Sequence, residues 1–158
     1  MFNETLRNDF NQYFIIATDA SKSQKITSIA GVSEFSSFAF RIHHTNSIFT
    51  AICQAIDDLA ISDKPLLVLT DSLSVQLALQ HFSSKSPSVI HKLVHKLVEK
   101  SLTNNHITLL WIPGHSTILW NEKSDFIAKL VTEHSPYINW IAREDILSHM
   151  KHNSKKRT

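Results

Sequence analysis

The sequence predicts a single three-layer α/β domain: a mixed five-stranded sheet, three antiparallel strands followed by two parallel ones, with helices on both faces. Three observations carry that reading. Two short β-rich segments, 27–32 and 36–42, follow a first apolar strand and are separated only by Ser33-Glu34-Phe35, the pattern of an antiparallel meander. Apolar runs at 66–70 and 107–112 then alternate with segments of helical periodicity, as parallel strands joined by crossovers do. The chain has 158 residues, 42% of them hydrophobic, enough for one substantial core and too few for two.

The elements follow in order. Residues 1–12 are polar and read as a loose lead-in. Strand one, 13–18, runs into Asp19, and the meander follows it. A helix is predicted over 47–61, with Ile48, Ile52, Ala55, Ile56 and Leu59 at helical spacing. Pro65 precedes strand four, which is apolar throughout, so both its faces should be buried; it ends on Asp71. A short helix over 72–79 stops before the polar break Ser83-Ser84-Lys85-Ser86-Pro87. The helix over 88–102 is the most regular. Val89, Ile90, Leu93, Val94, Leu97, Val98 and Leu102 form its apolar face, while His91, Lys92, His95, Lys96 and Lys100 form a solvated one.

Strand five, 107–112, contains Trp111, read as a packing residue, and leads through Pro113-Gly114 to His115. The next helix should begin near Asn121, a residue type suited to the N-cap, and turn Phe126, Ile127, Leu130 and Val131 inward. The domain therefore spans 13–134. Residues 135–158 form a C-terminal extension, with a short helix over 143–150 and a disordered basic tail of Lys151, Lys155, Lys156 and Arg157.

Charge and composition narrow the setting. A formal charge of +2 and a pI near 8.7 allow a phosphate-bearing partner without demanding one. Cys53 is the sole cysteine and lies in an apolar helical stretch, which fits an inert buried thiol in a reducing compartment. No apolar run approaches the ~20 residues of a membrane span. The N-terminal residues lack the apolar core of a secretory signal. A soluble intracellular protein, cytoplasmic or nuclear, is expected.

The chemistry gathers at strand ends. Asp19 and Asp71 close two strands, His115 follows a third, and Asp125 lies on the next helix. In open sheets ligands gather beyond the carboxyl ends of neighbouring parallel strands. Carboxylates brought together there repel unless a cation sits between them, which points to a metal site. Each acid also has a simpler reading: a turn aspartate for Asp19, an N-cap for Asp71, a dipole partner for Asp125. A phospho-acceptor receiver domain would likewise place aspartates at strand ends, but its all-parallel sheet has no room for the meander.

The ordered set resembles a type 1 ribonuclease H domain, of the kind carried beside a reverse transcriptase in retroelement polyproteins. Thr18-Asp19-Ala20-Ser21 resembles the family's first strand and first acid, and Leu69-Thr70-Asp71-Ser72 its third acid. Residues 47–56 resemble the first helix. Trp111-Ile112-Pro113-Gly114-His115-Ser116, followed by Asn121-Glu122-Lys123-Ser124-Asp125, resembles the segment with the family's histidine and last acid, and is the most diagnostic part.

The resemblance implies endonucleolytic hydrolysis of the RNA strand of RNA/DNA hybrids with two Mg2+ ions, Mn2+ being a substitute. Asp19 would be shared by both ions, Asp125 would serve the water side, Asp71 the leaving-group side, and His115 would assist proton transfer or product release. Ser21 and Asn121 would contact the substrate, whose 2′-hydroxyls distinguish RNA from DNA. A reverse transcriptase domain of the same or a related polyprotein is an implied partner.

One departure matters. The family's second acid falls at Ile52, which instead continues the apolar stripe of its helix. Its loss should weaken cation binding on the leaving-group side. The chain also has only two glycines, Gly31 and Gly114, and carries Thr117 and Trp120 where related loops have glycine. The alternative functions are a catalytically degenerate domain that binds nucleic acid and a purely structural ribonuclease H-like module.

Overall fold

A computed structural model describes residues 2–57, 64–102, 106–114 and 117–156. The chain runs α1 (Phe2–Asp9), β1 (Phe14–Lys22), β2 (Thr27–Ser33), β3 (Ser37–Ile42), α2 (Ile48–Asp57), β4 (Leu66–Thr70), α3 (Leu73–Gln80), α4 (Ser88–Ser101), β5 (Ile107–Trp111), α5 (Leu119–Lys129), β6 (Tyr137–Ile138) and α6 (Arg143–Lys156). These strands form one mixed sheet in the order β5-β4-β1-β2-β3-β6. β1, β2 and β3 are the expected antiparallel meander, and β4 lies parallel to both β1 and β5.

Side-chain alternation along β1 and β4 divides the core in two. Ile16, Leu66 and Val68 pack with Ile52, Cys53 and Ile56 of α2, Val75 of α3, and Val89, Ile90 and Leu93 of α4. On the other face Ala17, Leu67 and Leu69 pack with Leu6 of α1, Ile112 and Ile118. α5 lies against β1 and β2, and the Ser28 hydroxyl donates to the Ala128 carbonyl at 2.6 Å. Asp19 continues the parity of Ala17, and Asp71 that of Leu69.

The structure corrects several expectations. The lead-in is not loose: Phe2–Asp9 is a helix, and it buries Leu6. The sheet has six strands rather than five, because Tyr137–Ile138 pairs parallel with β3 at Arg41 and Ile42. A two-residue strand carries no alternation to read. The last helix extends through Lys156, taking in the lysines assigned to a disordered tail. The predicted helix positions 58–61, Leu59 among them, lie outside the described residues.

α5 is turned differently from its hydrophobic pattern. Asn121, Ser124 and Ala128 face inward and are buried, whereas Phe126 and Leu130 are 62% and 59% exposed. Among the expected inward residues only Val131 is buried. Close approach of helix to sheet favours small side chains at the contact. Asn121 is not an N-cap either; that position belongs to Ile118, which makes no side-chain capping bond.

Residues 137–145 are bound into the same body. Asn46, fully buried, donates from Nδ2 to the Trp140 carbonyl at 2.7 Å and accepts the Ala142 N–H at 2.9 Å. Consecutive acids of α6 then meet the N-terminal ends of two other helices. Glu144 accepts from the Ser88 N–H at 2.7 Å and hydroxyl at 2.6 Å, and Asp145 accepts the Ser47 N–H at 2.9 Å. Negative charge there complements the helix dipole and satisfies otherwise unpaired N–H groups. Lys92 leaves the solvated face assigned to it: its ammonium donates to Gln54 Oε1 at 2.8 Å and lies 4.4 Å from the Trp140 ring centroid. Among the described residues no helix is long and apolar enough to cross a membrane.

Candidate active site

Three elements deliver acids to one place. β1, buried through its middle, carries Asp19. Asp71 stands immediately after β4, and Asp125 lies midway along α5. Asp19, Asp71, Asn121, Glu122 and Asp125 together line a cavity of about 250 Å³.

Asp19 is 7% exposed, and its carboxyl is pushed up from an ordinary 3.8 to about 7. Burial is the main cause, followed by the charge of Asp71 and then that of Asp125. The Ala20 N–H, donating to Asp19 Oδ1 at 2.7 Å, and the Lys129 ammonium oppose the shift without cancelling it. Burial and, to a lesser degree, the two neighbouring acids thus disfavour ionisation of Asp19.

Asp71 is fixed through its backbone. The Trp111 indole N–H donates to the Asp71 carbonyl at 3.0 Å, so Trp111, 36% exposed, does more than pack within its strand. The Ile112 N–H donates to the Thr70 carbonyl at 2.9 Å, tying the chain beyond β5 to the end of β4. Gly114 lies close to Asp71: a Cβ there would stand 3.3 Å from Asp71 Oδ2. The N-cap reading of Asp71 does not hold: Ser72 is the N-cap of α3, with no side-chain capping bond. The dipole reading of Asp125 fails too, since the first-turn acid of α5 is Glu122.

Other candidates fall elsewhere. Ile52 is 3% exposed and belongs to the core beneath α2. Ser21, two residues beyond Asp19, is not among the residues lining the cavity. His115 and Ser116 lie outside the described residues. Conversely, Glu122 lines the cavity and Lys129 pairs with Asp125, and neither is singled out from the sequence. The available signal was spacing: Glu122 and Asp125, three apart, and Asp125 and Lys129, four apart, share a helical face.

The donor set is all oxygen, which suits a hard divalent cation. The negative charges of Asp71 and Asp125, which add to burial in raising the Asp19 carboxyl, are what such an ion would neutralise. Among the described residues, however, no three His, Cys, Asp or Glu side chains are grouped closely enough to hold one ion. The acids share a cavity without closing on a single point.

Comparison with protein-family models gives a match to RNase H over residues 11–133. Comparison with curated proteins gives no match.

Proposed function

The chain belongs to the RNase H family, and from that membership we propose that it cleaves the RNA strand of RNA/DNA hybrids endonucleolytically. The observation that carries the proposal is the cavity shared by Asp19, Asp71 and Asp125, in which burial first and the charges of Asp71 and Asp125 after it push the Asp19 carboxyl up to about 7. Family members of this kind typically depend on divalent ions, and here Asp19, Asp71 and Asp125 would hold Mg2+, or Mn2+ in its place. When bound, such ions supply charge neutralisation at the scissile phosphate and a more acidic water.

The chain's own residues prepare that chemistry. Burial of Asp19 keeps its carboxyl basic. Trp111 anchors the backbone carbonyl of Asp71. Lys129 steadies Asp125. His115, on its resemblance alone, would pass a proton or aid product release, and Ser21 would contact the RNA strand. A reverse transcriptase domain of a retroelement polyprotein is the proposed partner.

A second reading, a degenerate domain that binds nucleic acid without cutting it, is favoured by one observation: the position expected for the second acid is a buried core isoleucine. A labelled hybrid incubated with Mg2+ or Mn2+ separates the two, with Asp19→Asn as the control. Cation-dependent cleavage lost in the variant supports the nuclease. Salt-dependent binding with no cleavage supports the degenerate domain, because phosphate contacts release counterions.

A further inference from the structure

Outside the acidic cavity, α4 carries two histidines one turn apart. His91 and His95 are separated by four positions and line the same groove, so both imidazoles project from one face of the helix. That spacing on a helix is the one by which two histidines grip a single zinc ion. The His91 ring is held in place: it meets the Phe82 ring at 70°, with centroids 4.9 Å apart. Among the described residues no hydrogen bond occupies either imidazole.

Imidazole nitrogen suits Zn2+, whereas the all-oxygen set of the acidic cavity suits a harder ion. Structural zinc takes four ligands in a tetrahedron, and this pair supplies two. Glu99 lines the same groove, but it faces Lys96 at 3.9 Å. Among the described residues no three His, Cys, Asp or Glu side chains are placed to hold one ion. The remaining ligands must therefore come from outside the chain.

The groove itself indicates their source. Phe82, Val98 and Leu102 border it and are 42%, 52% and 80% exposed. Large apolar side chains exposed together mark a contact surface. A two-fold contact sets one patch against its own copy, which turns two histidines into four. We propose that His91 and His95 are half of a zinc site that joins two copies of this chain through the α4 groove. Zinc fixes the register of the pair, and the apolar border covers it.

The test measures mass in solution by sedimentation and zinc affinity by calorimetric titration, for the full chain, His95→Ala and Leu102→Glu. The parent is expected to double its mass on addition of Zn2+, with one ion bound per two chains, and Mg2+ should not replace it. His95 is exposed and alanine favours helix, so His95→Ala should melt as the parent does without zinc. With zinc the variant should stay single and bind the ion at least about tenfold more weakly. Leu102→Glu keeps both imidazoles but sets like charges against each other, and should weaken the zinc-driven pairing.

A parent that stays single in zinc, or that pairs while holding one ion per chain, overturns the proposal. So does pairing that survives His95→Ala or is unchanged by Leu102→Glu.

Discussion

Lys129 donates to Asp125 Oδ2 at 2.6 Å, one turn along α5, so one acid of the cavity already carries a cation supplied by the chain itself. The acid precedes the base, the favourable orientation for such a pair. The bond raises the proton affinity of Lys129, and its charge also opposes the upward shift of Asp19.

A divalent ion must therefore compete with Lys129 for Asp125. Lys129→Ala is expected to raise Mg2+ affinity severalfold, measured by calorimetric titration, with little change in melting, because exposed pairs contribute little. Weaker Mg2+ binding in the variant would mean that Lys129 organises the site rather than occupying it.

The buried Asp19 makes stability depend on pH with a definite sign. Its carboxyl is pushed up from 3.8 to about 7, so between those values the folded chain holds a proton that the unfolded chain has lost. Stability must fall as pH rises through that window, with the full cost present above it. Asp19→Asn removes the dependence. The variant should melt higher than the parent at pH 8, by up to about 4 kcal/mol in stability, and converge with it near pH 4. It should also lose all cleavage. A variant melting lower at pH 8 would contradict the burial account.

Ile52→Glu tests the departed acid. A carboxylate placed among Ile16, Ile56, Val68 and Val75 meets an apolar environment. A loss on the order of 3 kcal/mol is expected, roughly 6–12 °C in melting temperature without divalent ions. If the new carboxylate reaches the cavity, Mg2+ should restore part of that loss and raise hybrid cleavage; partial rescue is the expected result. A low-melting variant that Mg2+ neither stabilises nor activates would favour the non-catalytic reading.

Glu144→Ala tests whether the C-terminal segment is integral. Burial alone would raise the Glu144 pKa, but the bonds from the Ser88 hydroxyl and N–H outweigh it and lower the value. Stability from this contact is present at neutral pH and is lost as pH falls through the depressed value. Removing the carboxylate should cost about 1 kcal/mol at pH 7, in the range of helix caps, and much less in acid. Unchanged melting at pH 7 would mean that α6 contributes nothing to α4.

The sequence by itself determined five of the six strands and placed acids beside two of them. The apolar runs expected at 13–18 and 66–70 and the meander follow from composition and turn signals, and the amphipathic helix expected at 88–102 from a period of 3.6, all of them local properties. Asp71 was legible because the apolar run before it ends there; Asp19 was legible as the acid that follows an apolar run, although β1 continues past it to Lys22. Only the tertiary structure decided which face of α5 turns inward. Phe126 and Leu130 promise an inward stripe, but close approach of helix to sheet selects Asn121, Ser124 and Ala128 and leaves the two large residues outside. The same holds for Trp111 with Asp71, Lys92 with Gln54, and Asn46 with Trp140, separated by 40, 38 and 94 positions. No local pattern encodes such pairs, because each forms only when separate elements have been brought into register by the core between them.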